Sequence, residues 1–251
     1  LLTSANIPCN HPRAKSLLER ERLVEGFRKG LVVPEGLIAH GRGEAFDYLI
    51  GEKTASFARK AIRAAAAALL IAKKPVISVN GNVAALLPDK VVELSKVVGA
   101  AIEVNLFYRT VERELSIAET LKENGAAEVL GIGKNASGQI PELMSERRKV
   151  DPRGILAADV VFVPLEDGDR TEALRKMGKT VIALDLNPMS RTSLAASITI
   201  VDNVVRAIPL LVEEAKKLKH NRNLHSIIVA FANKKNVHEA MMHIARRLEN
   251  V

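Results

Sequence analysis

Six short polar runs carry the groups in this chain that could do chemistry. Asn80-Gly81-Asn82 follows Val79, and Gly131-Ile-Gly133-Lys134-Asn-Ala-Ser137-Gly138 follows Leu130. Glu166-Asp167-Gly168-Asp169-Arg170 follows Leu165. Asp185-Leu186-Asn187-Pro188 follows Leu184, with Ser190, Arg191 and Thr192 just after it, and Asp202-Asn203 follows Val201. The sixth run, His40-Gly41-Arg42-Gly43-Glu44, sets an arginine between two glycines. Glycine lets backbone approach a ligand closely, and a guanidinium grips phosphate or carboxylate with a fork of N–H donors. The same residues also suit a tight turn with an exposed arginine.

Each run has a functional and a structural reading. Gly131, Gly133 and Ala136 match a G-x-G-x-x-A pattern, a weak sign of dinucleotide binding that is equally a glycine-rich turn. It is not a triphosphate-binding P-loop, because Glu128 stands where the first glycine belongs and Asn135 where Ser or Thr belongs. Lys134 could still neutralise phosphate as a mobile point charge. Glu166, Asp167 and Asp169 could offer oxygen ligands to Mg²⁺, or could start a helix, where Asp169 before Arg-Thr-Glu-Ala-Leu fits a cap. His238 and His243 stand five apart, which turns them about 140° from each other on a helix and argues against a shared zinc. No G-x-S-x-G elbow occurs.

The elements around these runs suggest where they lie. The first third reads as helical: a helix beginning near Pro12 with Leu17, Val24 and Phe27 on one face, a glycine-rich break at 36–43, and a long stretch over 44–73 that Gly51 could interrupt. From Pro75 the rhythm changes. Apolar strands are expected at 75–80, 101–106, 128–133, 159–165, 180–185 and 198–201, with helices at 89–98, 110–123 and 169–177 between them. Val204, Ile208, Leu211, Ala215 and Leu218 mark a further helix, and Val237, Met241, Ile244 and Leu248 a closing one. Continuous apolar strands alternating with helices predict an α/β, Rossmann-like core at 74–251, with a mostly parallel sheet covered on both faces, behind a helical section at 1–73. One domain is the simplest arrangement. Ligands in such folds bind beyond the carboxyl ends of the strands, where five of the polar runs would fall.

Composition narrows the partners. The 251 residues carry 37 Lys and Arg against 29 Asp and Glu, a formal charge of +8, which suits nucleic acid or small anionic substrates. With 47% apolar residues the chain can build a core, and with 3% aromatics it has few platforms for stacking bases. Cys9 is the only cysteine, so no intrachain disulfide can form and an inert thiol is expected. The most apolar run, Ala64–Ala72, is half the length of a membrane span and reads as a buried helix. With no amino-terminal signal pattern visible, a cytoplasmic protein is expected.

The ordered motifs resemble a known family. Ile7-Pro-Cys-Asn-His-Pro-Arg13 and Gly36-Leu-Ile-Ala-His-Gly-Arg-Gly-Glu-Ala-Phe-Asp-Tyr-Leu-Ile-Gly-Glu52 are similar to archaeal phosphopantothenate synthetase, the 4-phosphopantoate–β-alanine ligase family. Later blocks agree: Ser78-Val-Asn-Gly-Asn82, Glu103-Val-Asn-Leu-Phe107, Val163-Pro-Leu-Glu-Asp-Gly-Asp-Arg170, Asp185-Leu-Asn-Pro188, Ser190-Arg-Thr192 and Ile200-Val-Asp-Asn-Val-Val-Arg-Ala207. The resemblance runs from about Ile7 to at least Leu210. It implies that the carboxylate of 4-phosphopantoate attacks ATP to give an acyl-adenylate and pyrophosphate. The amine of β-alanine then displaces AMP, and 4′-phosphopantothenate enters coenzyme A synthesis. Mg²⁺ and a cytoplasmic homodimer are implied in the same way, with no role for nucleic acid or membrane.

The resemblance also implies residue roles. Arg20, Arg42, Asp185, Leu186, Asn187, Arg191, Thr192, Asn203 and Val204 match nucleotide contacts. Arg42 and Lys134 are expected to act in catalysis and Asp167 to hold metal. Asn80, Asn82, Lys134 and Ser137 are expected to bind phosphopantoate, because they share one predicted sheet edge. Val83 stands where the family often has Thr, and Ala14 where it often has Tyr; neither departure removes a charged contact. The alternative is an NAD(P)-dependent oxidoreductase resting on Gly131, Gly133 and Ala136. It lacks the acidic residue about 20 positions on, where Arg153 stands.

Overall fold

The computed structural model describes residues 7–8, 10–11, 13–165 and 167–249; Cys9, Pro12 and Glu166, named above, lie outside them. Three helices come first: α1 (Ala14–Arg28), α2 (Pro34–Ile50) and α3 (Ser56–Ile71). Then follow β1 (Pro75–Val79), α4 (Gly81–Leu86), α5 (Pro88–Val98), β2 (Ala101–Val104) and α6 (Val111–Glu123). A short hairpin pairs β3 (Gly138–Gln139) with β4 (Lys149–Val150). The chain continues through β5 (Val160–Pro164), α7 (Gly168–Lys176), β6 (Thr180–Leu184), α8 (Arg191–Ala195) and β7 (Ile198–Ile200). It closes with α9 (Val204–Leu218), α10 (Leu224–Val229) and α11 (Asn233–Glu249).

The sheet is parallel throughout, in the order β2-β1-β5-β6-β7. Side chains alternate across it, as the pleat requires. Ile77, Val79, Ile102, Val104, Phe162, Ile182 and Leu184 join one core with α3, α5 and α9. Val76, Val161, Val163, Val181 and Ala183 join the other with Ala173 and Leu174 of α7 and with Ile140, Leu143 and Ile155. Burial on both faces explains why the strands read as continuous apolar runs. Ala64 to Leu69 are all buried, so the apolar run is a core helix, packed against the sheet and α9. Among the described residues no helix is long and apolar enough to cross a membrane.

Four expectations need correction. The glycine-rich segment 36–43 is not a break but lies inside α2, which starts at Pro34 and ends at Gly51 in the left-handed conformation (φ 98°). Each internal glycine costs a helix about 1 kcal/mol relative to alanine. Packing explains one of them: a Cβ on Gly36 would sit 2.5 Å from the Asn82 Oδ1. Second, 44–73 is not one long helix: α2 ends at Ile50 and α3 starts at Ser56, with the interruption at Gly51 that the sequence allowed. Third, segment 128–133 is not a strand. Leu130 makes two backbone bonds with β2, to Ile102 and Val104, before Gly131 (φ 80°) turns the chain away. Fourth, the residue before α7 is Asp167, not Asp169, which lies exposed within the helix's first turn. The short helices α8 and α10 and the β3–β4 hairpin carry too few residues to show a period in sequence.

Candidate functional site

The strand order reverses direction between β1 and β5, and open α/β sheets leave a crevice at such a point. Asn80 sits there, at the end of β1. Its Oδ1 accepts from Val83 N and caps α4, while its Nδ2 donates to the carbonyls of Pro164 and Leu165 at 3.0 and 3.1 Å. One amide therefore clips the two central strands together. Asn82 follows within α4 and donates to the Gly36 carbonyl at 2.8 Å, which fastens α2 over the strand ends.

Between α2 and the strand ends lies a cleft of about 300 Å³. Asn80, Leu106, Leu165, Leu186 and Asn203 reach it from the strand termini, and His40, Arg42, Gly43 and Glu44 from α2. Arg113, Arg147 and Asp167 complete its charged wall. Helical turns place Gly36, Ala39, His40 and Gly43 along one side of α2, so the glycine–arginine run faces the cleft from a helix rather than a loop. Nothing lies within 4 Å of a Cβ built on Gly41, and one on Gly43 would meet Leu186 Cδ1 at 3.4 Å.

At the β6 and β7 end, the loop is built by its own hydrogen bonds. Asp185 Oδ1 accepts from Asn187 N at 2.9 Å and Oδ2 from Ser190 Oγ at 2.5 Å. Ser190 caps α8 by accepting from Ser193 N. Burial pushes the Asp185 carboxyl above its ordinary range, against the opposing pull of Ser190, Asn187 and the charge of Arg42. Arg42 forms no hydrogen bond or ion pair among the described residues, so its guanidinium is available to a ligand. His40 is held below its ordinary pKa by burial, despite the nearby Glu44, and is neutral near pH 7.

Beneath this end runs a bonded network. Asn203 caps α9 through Oδ1, and its Nδ2 donates to Asp47 Oδ2 and Glu19 Oε2 at 2.9 and 3.2 Å. Arg206 donates to both carboxylate oxygens of Asp47 and to Asp202, and Asp202 also accepts from Thr54 Oγ1 at 2.6 Å. The Asn203 side chain is thus committed to the fold, leaving backbone at the α9 N-terminus to face the cleft.

The structure gathers Arg42, Asn80, Asn82, Asp167, Leu186, Asn203 and Val204 at this cleft. Arg20 stands one step back, bonded to Glu44 at 2.7 Å. Asp185 and Asn187 belong to the adjoining loop; Arg191 is exposed and pairs with Glu172 at 3.1 Å, and Thr192 is buried in α8. Lys134 and Ser137 are not brought to it. Both are exposed, in and after a 3₁₀ turn (Gly133–Asn135) beyond the β2 edge. Gly131, Gly133 and Ala136 therefore lack the strand–turn–helix setting that a dinucleotide site requires. His243 contacts the Ile50 carbonyl at 2.9 Å, and His238 is exposed.

Two wall residues have no sequence signal. Arg113 lies in the first turn of an ordinary amphipathic helix, and Arg147 in a Glu-Arg-Arg-Lys charge run that reads as solvent-facing. Only the fold turns them inward. Arg147 is buried, its Nε 2.7 Å from the Asp167 Oδ2 and its Nη1 donating to the Asn105 carbonyl at 3.1 Å.

The arrangement is a preformed cleft at a parallel sheet's switch point, lined by arginines and a helix N-terminus, suited to anionic ligands. A family model described as phosphopantothenate/pantothenate synthetase matches residues 57–247. The chain belongs to that family. A 4-phosphopantoate–β-alanine ligase of Thermococcus kodakarensis is 54% identical over 246 residues, covering 97% of this chain and 94% of the relative. The ligase of the same name from Methanosarcina mazei is 54% identical, over 98% of this chain and 97% of its own. That of Methanospirillum hungatei is 46% identical, over 98% and 99%. Near full-length identity at this level, with the cleft intact, makes this synthetase-family chain an enzyme, and its class that of the ligases.

Proposed function

We propose that the cleft joins 4-phosphopantoate to β-alanine with cleavage of ATP, giving 4′-phosphopantothenate for coenzyme A synthesis. The observation that carries this reading is Arg42, a guanidinium on α2 with no hydrogen bond or ion pair among the described residues, whose charge acts on the half-buried Asp185 carboxyl. A triphosphate needs such a charge, and a strand-end carboxylate can accept from ribose or base. In the first step the substrate carboxylate oxygen bonds to the α-phosphorus of ATP as the bond to pyrophosphate breaks. In the second, the β-alanine nitrogen bonds to the acyl carbon, AMP leaves with the electron pair, and the amine releases a proton. Neither step needs a covalent enzyme intermediate. Positioning and charge neutralisation supply the rate.

Arg42 and the α9 N-terminus would steady the phosphates, and Arg20 would hold Glu44 in place beneath Arg42. Mg²⁺ fits less well as a resident ion. Among the described residues no three His, Cys, Asp or Glu side chains are gathered for one, and Asp167 is ion-paired with Arg147. An ion that enters on the triphosphate and keeps most of its waters agrees with this donor set, and no step above is routed through it. The reading also takes the enzyme as a cytoplasmic homodimer; the molar mass from light scattering would check the dimer.

The test is AMP release that requires both 4-phosphopantoate and β-alanine. Formation of ADP in place of AMP would remove the adenylate route. Product formation without β-alanine would remove the ligase.

A further inference from the structure

We propose that a hollow between α3, α10 and α11 is a second ligand site, one that takes an adenine-type nucleoside monophosphate. It shares no lining residue with the cleft, and it stands whether or not the ligase reading does.

The hollow holds about 550 Å³, within the usual range for small-molecule sites. Three cations stand around it: Lys60 and Arg63, one turn apart on α3, and Lys235 of α11. Lys60 is paired with Glu239 and Arg63 with Glu214, each at 2.9 Å. Lys235 forms no ion pair or hydrogen bond among the described residues, so its charge is not cancelled. Half-buried Ile227 and Phe231 supply an apolar side.

Asn236 of α11 sets this hollow apart from a basic dimple on the surface. It lies in the wall at 4% exposure, and among the described residues neither its Nδ2 nor its Oδ1 has a hydrogen-bond partner. Burying a donor and an acceptor unpaired costs the fold stability at both atoms. An apolar side chain of the same size would fill the space without that cost.

The amide also sets the ligand chemistry. Its N–H donor and its carbonyl acceptor sit side by side, which matches a planar edge with an acceptor beside a donor. Adenine presents such an edge in N7 and the N6 amino group, and Asn can bond both. A phosphate or carboxylate alone only accepts, and would leave Oδ1 unpaired. Ile227 and Phe231 suit the flat face of a base, and Lys235 suits a phosphate at the other end. Both amide atoms are closed to water in the free protein, so the base reaches them as a wall element shifts. That element is α10: none of its residues is buried, so moving it uncovers little core.

Calorimetry with a non-hydrolysable ATP analogue saturating the cleft tests the proposal, using AMP, ribose 5-phosphate and nicotinamide mononucleotide, whose carboxamide offers the same edge. AMP is expected to bind the wild type at one site with Kd below about 1 mM. Ribose 5-phosphate, which lacks the base, should bind about tenfold or more weakly. Asn236→Leu should bring AMP down to the ribose 5-phosphate level, and Lys235→Ala should weaken both alike. In either variant the ATP analogue should bind within about twofold of wild type, because the two sites share no residue. No saturable AMP binding, tighter binding of nicotinamide mononucleotide, or AMP binding unchanged by Asn236→Leu would overturn the proposal. Thermal unfolding of the ligand-free Asn236→Leu protein adds a check that needs no ligand. Its midpoint should equal or exceed that of the wild type, because two orphaned polar atoms are gone. A lower midpoint would show that the amide is already satisfied in the free protein, and would overturn the site.

Discussion

Arg42 and Lys134 look alike in sequence and end in opposite settings. Each is a cation in a glycine-rich polar run near a predicted strand end. Arg42 lies on a helix that three fastenings hold over the cleft: the Asn82–Gly36 bond, the Asp47–Arg206 pair and the Asn203–Asp47 bond. Lys134 lies in solvent on a turn, because the strand that should have delivered it stops after Leu130. Glycine and charge spacing identify a polar run, but the elements that anchor it decide whether it meets a ligand.

The contrast can be tested from its strongest consequence downward. Arg42→Ala should lower turnover about 10²-fold or more, the loss typical of one charge-stabilising donor, measured as AMP release at saturating substrates. Unchanged turnover would put Arg42 on the same footing as Lys134. Asn80→Ala removes a helix cap and the two side-chain bonds that tie the end of β1 to the Pro164 and Leu165 carbonyls. It should destabilise the fold by about 1–3 kcal/mol in denaturant unfolding and also reduce activity, because the strand ends would separate.

The third consequence concerns the side of the sheet where Lys134 lies. Glu103 is buried beneath Gly131, its carboxylate accepting from Asp151 N and Ile155 N at 2.9 and 2.5 Å. Burial pushes it up to about 7, with the backbone donors and Arg170 opposing. A raised carboxyl binds its proton more readily folded than unfolded. Stability should therefore fall as pH rises from about 4.5 to 7, by on the order of 1–3 kcal/mol, and level off above that. Glu103→Gln should flatten the slope; a stability curve unchanged by that substitution would show that Glu103 ionises as it does in the unfolded chain. The smallest effect is expected of Lys134→Ala, with turnover within about twofold of wild type. A large loss would mean that a second subunit carries Lys134 to its neighbour's cleft.

Much of the fold is legible locally. β1, β5 and β6 read as continuous apolar runs because both of their faces are buried, α9 shows its helical period because one face is buried and the other is not, and Gly51 announces the end of α2. The α2 helix is hidden because three glycines outweigh its local signal, and tertiary ties restore it: the Asn82 bond to the Gly36 carbonyl, the Asp47 bonds to Asn203 and Arg206, and packing against α11 and α1. Residue types at Asn80, Asn82 and Asn203 were visible as polar strand ends, but their work is mostly structural. Each amide is committed to backbone or carboxylate partners, which no spacing rule could show.

Sequence by itself determined the alternation of strands and helices, the family motifs and the arginine at position 42. These depend on neighbours within a few residues or on long ordered matches. The tertiary structure alone decided that segment 128–133 would leave the sheet, that Arg113 and Arg147 would turn into the cleft, and that Lys134 would not. The reason is physical: the fate of a charge depends on what surrounds it after folding. Leu31, Tyr108, Asn105 and Asp167 surround this pair from positions up to 82 residues away.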